Sequence, residues 1–219
     1  MTSLLFIAPL LIAYELGVLV LGAEAARTGA DVWLRFLLER IGLGQYFLLP
    51  GLTVGMLLAW HYLTGRPWRV GRGTLAGMTV ECAILAIVLR LFLQAQGLLF
   101  EILAPSPAEL GSLARSAVAY LGAGIYEELL FRLMLFSAIA WLGARAGFSA
   151  GLAAVVAAAL GSLLFAAAHH VGPYGDPLVP FAFVFRFLAG LFFSALFAVR
   201  GFGIAVGAHA GYDLLVGLV

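Results

Sequence analysis

The chain has 219 residues, of which 64% are hydrophobic and only 11% charged, with a mean hydropathy of +1.10. Lipid must therefore solvate most of it, and no length is left over for a soluble domain. A net charge of +1 without a long basic run gives a nucleic-acid partner no support, and the lone Cys82 excludes an internal disulfide or a Cys-rich metal site and reads as packing.

Apolar runs long enough to cross a bilayer fall at about 3–22, 45–64, 74–99, 117–141, 149–170, 179–199 and 202–218. The first resembles a cleavable signal, with Ala23-Glu24-Ala25 after it. It lacks a basic start and is interrupted by Glu15, so it is expected to be retained. Between the first two runs, Asp31 to Leu43 sets Trp33, Phe36, Leu37 and Ile41 among Arg35, Glu39 and Arg40, the pattern of an amphipathic helix at the interface; a short reentrant segment is the alternative. The fold class is thus all-α: one polytopic membrane bundle over 1–219, with about seven transmembrane helices and one interfacial helix. Small residues are dense in the fifth and seventh runs, which makes both candidates for the middle of the bundle.

Arg66, Arg69 and Arg72 share a loop without an acid, and Arg145 and Arg200 fall on the same side if seven spans alternate. That side is expected to face the cytoplasm, together with the N-terminus. The opposite loops hold Glu24, Asp31, Glu39, Glu101, Glu109 and Asp176, alongside Arg27, Arg35, Arg40 and Arg115. The expected location is a bacterial inner membrane, with the lipid bilayer as the protein's surroundings.

An ionised side chain near the bilayer centre costs about 2.5–3.5 kcal/mol on insertion scales, so the charges inside the runs carry information. The fourth run contains Tyr126-Glu127-Glu128-Leu129-Leu130-Phe131-Arg132. Glu128 and Arg132 stand four apart and can pair on one helix face, whereas Glu127, turned by about 100°, needs another partner or a function. Phe165 and His169 end the fifth run, beside His170, and His209 and Asp213 lie four apart in the seventh. The intervals from Glu127 to His169 and from His169 to His209 each leave room for about one helical hairpin, so the three can converge at one depth. Singly, each has a structural reading: a solvated interfacial cap for His169 and His170, an interhelical hydrogen bond for His209, an ion pair for the glutamates. Glu15, Glu81, Arg90 and Arg186 read as interhelical pairs that fix the bundle, with Glu15 lining a substrate path as the alternative. His61, beside the basic loop, reads as interfacial and inert.

In order and spacing, Glu127-Glu128-x-x-x-Arg132, Phe165-x-x-x-His169 and His209-x-x-x-Asp213 resemble the motifs of the CAAX-protease and bacteriocin-processing family of intramembrane glutamic peptidases, which includes the type II prenyl-protein endopeptidases. The likeness spans about residues 117–217; the first 110 residues match only as hydrophobic helices. The resemblance implies an intramembrane endopeptidase in which Glu127 activates water, His169 shares that water and its proton, and His209 stabilises the oxyanion, with Glu128, Arg132, Phe165 and Asp213 supporting. Many relatives carry Asn where this chain has Asp213. An ionised Asp can only accept hydrogen bonds, so it would orient His209 rather than donate to an oxyanion. The implied partner is a membrane-anchored protein or peptide substrate, and no cofactor is implied. On the expected topology Glu127 lies about 15 Å below the outer end of its span and the site opens to the extracytoplasmic side.

Three competing readings remain. Glu127, His169 and His209 are all credible zinc ligands, although no compact HExxH-type pair is present. A non-catalytic membrane scaffold or immunity protein on the same fold is a second reading, and an ion or proton carrier using buried Glu and His a third.

Overall fold

The computed structural model describes residues 1–22, 25, 27–65, 67–71, 73–99, 113–172 and 175–218. Five charged residues counted above for orientation, Glu24, Arg66, Arg72, Glu101 and Glu109, lie outside the described residues. Every regular element among the described residues is helical: α1 (Thr2–Leu21), α2 (Gly29–Arg40), α3 (Leu48–Leu63), α4 (Thr74–Leu99), α5 (Leu113–Gly122), α6 (Ser137–Arg145), α7 (Ala150–Ala168), α8 (Pro180–Arg200) and α9 (Phe202–Leu218). Between α5 and α6 the chain stays helical through two π-type segments, π1 (Ala123–Glu127) and π2 (Leu129–Phe136), so that 113–145 forms one long rod.

The helical segments coincide with the seven apolar runs and the interfacial helix to within a few residues. Four of them, α1, α4, α7 and α8, are long and apolar enough to cross a membrane by themselves. The helices α3 and α9, at 16 and 17 residues, fall short of that length, and the rod carries Arg115, Glu127, Glu128 and Arg132. Local chemistry sets several boundaries. Ser149 caps α7 by accepting from Leu152 N at 3.3 Å, Pro180 opens α8, and a single residue, Gly201 at φ 90°, turns α8 into α9.

At the middle of the bundle stands α9, touching α1, α4, α5, α8 and π1, with every residue from Phe202 to Ala210 buried. The fifth run does not share that place. Helix α7 uses its small face, including Ala153, Ala157, Gly161 and Ser162, to approach its neighbours α6, α8 and π2, while Leu152, Val155, Leu160, Leu163 and Leu164 point outward. Its small residues serve one face only, and the leucines at the intervening positions belong in lipid.

Helix α2 also departs from the usual surface pattern. Trp33, Phe36, Leu37 and Ile41 are exposed, and the inward face carries charge: Asp31 is fully buried. Its carboxylate accepts from Tyr14 of α1 at 2.8 Å, from Arg27 at 2.7 Å and from Arg35 at 2.7 Å. Arg35 also donates to the Tyr46 carbonyl at 2.6 Å and to Glu15 at 3.3 Å, and Glu15 accepts from Tyr126 of π1 at 2.6 Å. Glu15 is therefore a link between three elements. The other isolated charges are paired too, though not with one another: Glu81 takes Arg200 in two contacts of 2.6 and 2.8 Å, Arg186 pairs with Asp176, and Arg90 donates to the Leu215 carbonyl. His61 is buried and meets the ring of Trp68 at 4.5 Å. Cys82 is buried against Ile204, as packing requires.

A close backbone approach in the core joins π1 to α9. A Cβ on Gly124 would stand 2.7 Å from the Ala210 Cβ, 2.9 Å from the Ala210 nitrogen and 3.0 Å from the Val206 carbonyl. Because two of those three atoms are backbone, nothing there can swing aside. Gly124→Ala is expected to destabilise the bundle by about 1–3 kcal/mol, the usual cost of overpacking, read as a lowered melting temperature of the purified protein in detergent.

Candidate active site

The site is built where the rod, the C-terminal end of α7 and the middle of α9 meet. Adjacent residues on an α-helix point about 100° apart, yet Glu127 and Glu128 both reach the ring of His209. The two π segments that flank Glu128 widen the turn there, a distortion that recurs at functional sites because it re-aims side chains. Glu128 Oε1 lies 2.8 Å from His209 Nδ1, and Glu127 Oε2 lies 3.9 Å from His209 Nε2 and 3.8 Å from His169 Nε2.

Both imidazoles are oriented through Nδ1. His169 donates its Nδ1–H to the carbonyl of Phe165, one turn back on α7, at 2.8 Å; a carbonyl only accepts, so Nε2 is the atom left to face Glu127. His209 is fixed in the same sense by the Glu128 carboxylate, and Asp213 stands 3.6 Å from its Nε2. Asp213 therefore stands beside His209 as the spacing predicts, at Nε2, while the closer contact to the ring comes from Glu128 at Nδ1. Phe193 of α8 stacks on the His209 ring at 4.5 Å and 13°, and Phe165 meets it edge-on at 6.0 Å.

Beneath the histidines, the expected pair forms, with Arg132 3.1 Å from Glu128 and both side chains buried at 1% and 0% exposure. Its guanidinium also donates to the Gly190 carbonyl at 3.2 Å and lies over the rings of Phe165 and Phe193, at 4.4 and 5.5 Å. Phe165 therefore has a reason to recur four residues before His169: it roofs the arginine and lends its carbonyl to the histidine. His170 turns away from the site, contacts the Asp176 carbonyl and stacks on Phe183, pinning the α7–α8 loop.

A cavity of about 650 Å³ opens onto this cluster, lined by Glu127, Phe131 and His169 on one side and by Arg27, Trp33 and Asp176 at its rim. Glu127 and His169 are 12% and 26% exposed; His209, at 6%, lies behind them. All seven residues singled out from the sequence are accounted for in one region. Tyr126, Phe193 and the Gly190 carbonyl were not foreseen. Tyr126 adjoins the glutamates in sequence, but its partner Glu15 lies on α1, and a phenylalanine in a Phe-rich helix gives no signal of its stacking partner.

A helical membrane protein with carboxylates and imidazoles gathered on a buried cavity has the makings of an intramembrane hydrolase. Residues 109–215 match the sequence model of the Rce1-like type II CAAX prenyl endopeptidases, and over that stretch the chain is similar to this family. No curated protein and no solved structure gives a match.

Breaking the buried pair from one side should be costly. Arg132→Met leaves Glu128 in a dry environment and is expected to destabilise the protein by about 3–5 kcal/mol. Adding Glu128→Gln should recover much of the melting temperature, while any activity that depends on the orientation of His209 stays lost.

Proposed function

We propose that the chain is an intramembrane endopeptidase that hydrolyses a peptide bond of a membrane-associated protein or peptide. Glu127 serves as the base for the attacking water, His169 shares that water and its proton, and His209 stabilises the oxyanion from Nε2. The observation that carries this reading is the pair of Glu127 separations, 3.8 Å to His169 and 3.9 Å to His209. Both exceed a direct hydrogen bond and suit groups that share one bridging water.

Amide hydrolysis needs a base placed to take a proton from water and a donor aimed at the charge that develops on the carbonyl oxygen. Glu127 removes the proton as the water oxygen bonds to the carbonyl carbon. With Nδ1–H donated to Glu128, His209 offers a second proton at Nε2 as the imidazolium, the form that the surrounding carboxylates favour, and that proton meets the oxyanion. Collapse breaks the C–N bond, and the proton held between Glu127 and His169 passes to the leaving nitrogen. Asp213, 3.6 Å from Nε2, adds the negative charge that favours the protonated form of His209. Glu128, Arg132 and Phe165 act by holding the histidines rather than by touching substrate.

The activity of the similar family, a CAAX prenyl endopeptidase, is one instance of the substrate class. The cavity beside exposed, apolar α2 favours a polypeptide delivered from the membrane interface. We infer seven crossings in a single domain, with Arg69, Arg145 and Arg200 at the cytoplasmic end, the N-terminus inside and the site opening outward, in a bacterial inner membrane.

Glu127→Gln is expected to lower turnover by about 10²–10⁴, the usual share of a positioned base, with the melting temperature unchanged. The corresponding cellular readout compares the membrane proteomes of cells carrying wild type and Glu127→Gln, in which an uncut polypeptide accumulates only in the variant. An intact phenotype in that variant would favour the scaffold reading.

Activity should also survive exhaustive chelation. Loss on chelation with recovery on adding zinc would instead make Glu127, His169 and His209 metal ligands.

A further inference from the structure

At the end of the bundle away from Glu127 and His169 lies a second crevice, of about 750 Å³, between the start of α1, the end of α3 and the junction of α8 with α9. Its chemistry is graded. The exposed part of its lining, at the mouth, carries Thr64, Arg69 and Arg200, and the more buried part is Leu57, Leu133, Phe136 and Phe197. Arg200 is already committed to Glu81. Arg69 is exposed and has no ion-pair partner among the described residues. Among the described residues of 64–73, Arg69 is the one charged side chain, and it brings positive charge to the entrance. Trp60 lines the crevice and Trp68 lies beside His61, both half-exposed, as indoles at the headgroup level are.

Water alone would pay poorly for the apolar interior, and a free anion would leave it empty. A molecule with one negative head and one hydrocarbon chain satisfies both ends at once, and basic pockets between transmembrane helices are where anionic headgroups bind. We propose that this crevice is a binding site for one anionic phospholipid, its phosphate held at the mouth by Arg69, and one acyl chain lying along Leu57, Leu133, Phe136 and Phe197. Leu133 and Phe136 belong to π2, so the chain packs on the rod that carries Glu127. The site is independent of the proposed peptidase reading and stands or falls without it.

The full-length protein in detergent, titrated with phosphatidylglycerol or phosphatidylcholine of the same acyl chains, tests this by melting temperature and by native mass spectrometry. Phosphatidylglycerol is expected to raise the melting temperature well above the effect of phosphatidylcholine, with one tightly bound lipid per chain. Arg69→Ala should weaken that binding about fivefold, the effect of one arginine at an anionic surface. Ala140→Phe, which fills the crevice from α6, should abolish the difference between the lipids. Arg40→Ala on exposed α2 and Glu127→Gln should both preserve it. Equal stabilisation by the two lipids, retention of the difference in Arg69→Ala, an equal loss in Arg40→Ala, or the same shift from inorganic phosphate alone would each overturn the proposal.

Discussion

The Glu128 carboxylate lies fully buried between the guanidinium of Arg132 at 3.1 Å and the imidazole of His209 at 2.8 Å, and the rest of the site is arranged around it. Two charges of opposite sign cannot leave water without each other, so the rod must keep Glu128 and Arg132 on one face. Because the same carboxylate also takes Nδ1 of His209, α9 is held at the height and rotation that turn Nε2 toward Glu127. The phenylalanines at 165 and 193 close the apolar shell around the pair and, through the Phe165 carbonyl, set the second imidazole as well.

Around that interaction the bundle supplies rigidity by two different means. Small residues bring backbones together where hydrogen-bonding side chains must meet: Gly124 against Ala210 on the Glu-to-His209 side, and Gly190 against Ser162, where an added Cβ would sit 2.8 Å from that of the serine, on the α7–α8 side. On the opposite flank a chain of polar contacts is added to the close packing. From Asp31 and Arg35 of α2 it runs through Glu15 to the Tyr126 hydroxyl, one residue before Glu127. The helix that lines the cavity is thereby tied to the element that carries the base, with its apolar side chains left to face lipid.

Much of the architecture was legible in the chain. The apolar runs mark the helices because a helix in hydrocarbon must satisfy its own backbone and face lipid with apolar side chains. Charges inside such runs are costly enough that Glu127, Glu128, Arg132, His169, His209 and Asp213 stood out before any coordinates. The places where the reading fell short share one cause. Helix α7 looked central because its small residues are dense, but whether they cover one face or all faces depends on which neighbours are there. Asp213 does stand beside His209 from four residues away, but the closer partner of that ring, Glu128, comes from another helix and could not be read from spacing.

The sequence by itself determined what is local or compositional: helices in lipid, the i,i+4 pairing of Glu128 with Arg132, and the small set of ionisable groups too expensive to be accidental. Only the tertiary structure decided which atoms of those groups face one another. The π turns that let neighbouring glutamates reach one imidazole, the stacking of Phe193 on His209, the link from Glu15 to Tyr126 and the two cavities all depend on the relative rotation and depth of separate helices. Those are set by packing between residues distant in the chain, for which a single sequence carries no periodic signal.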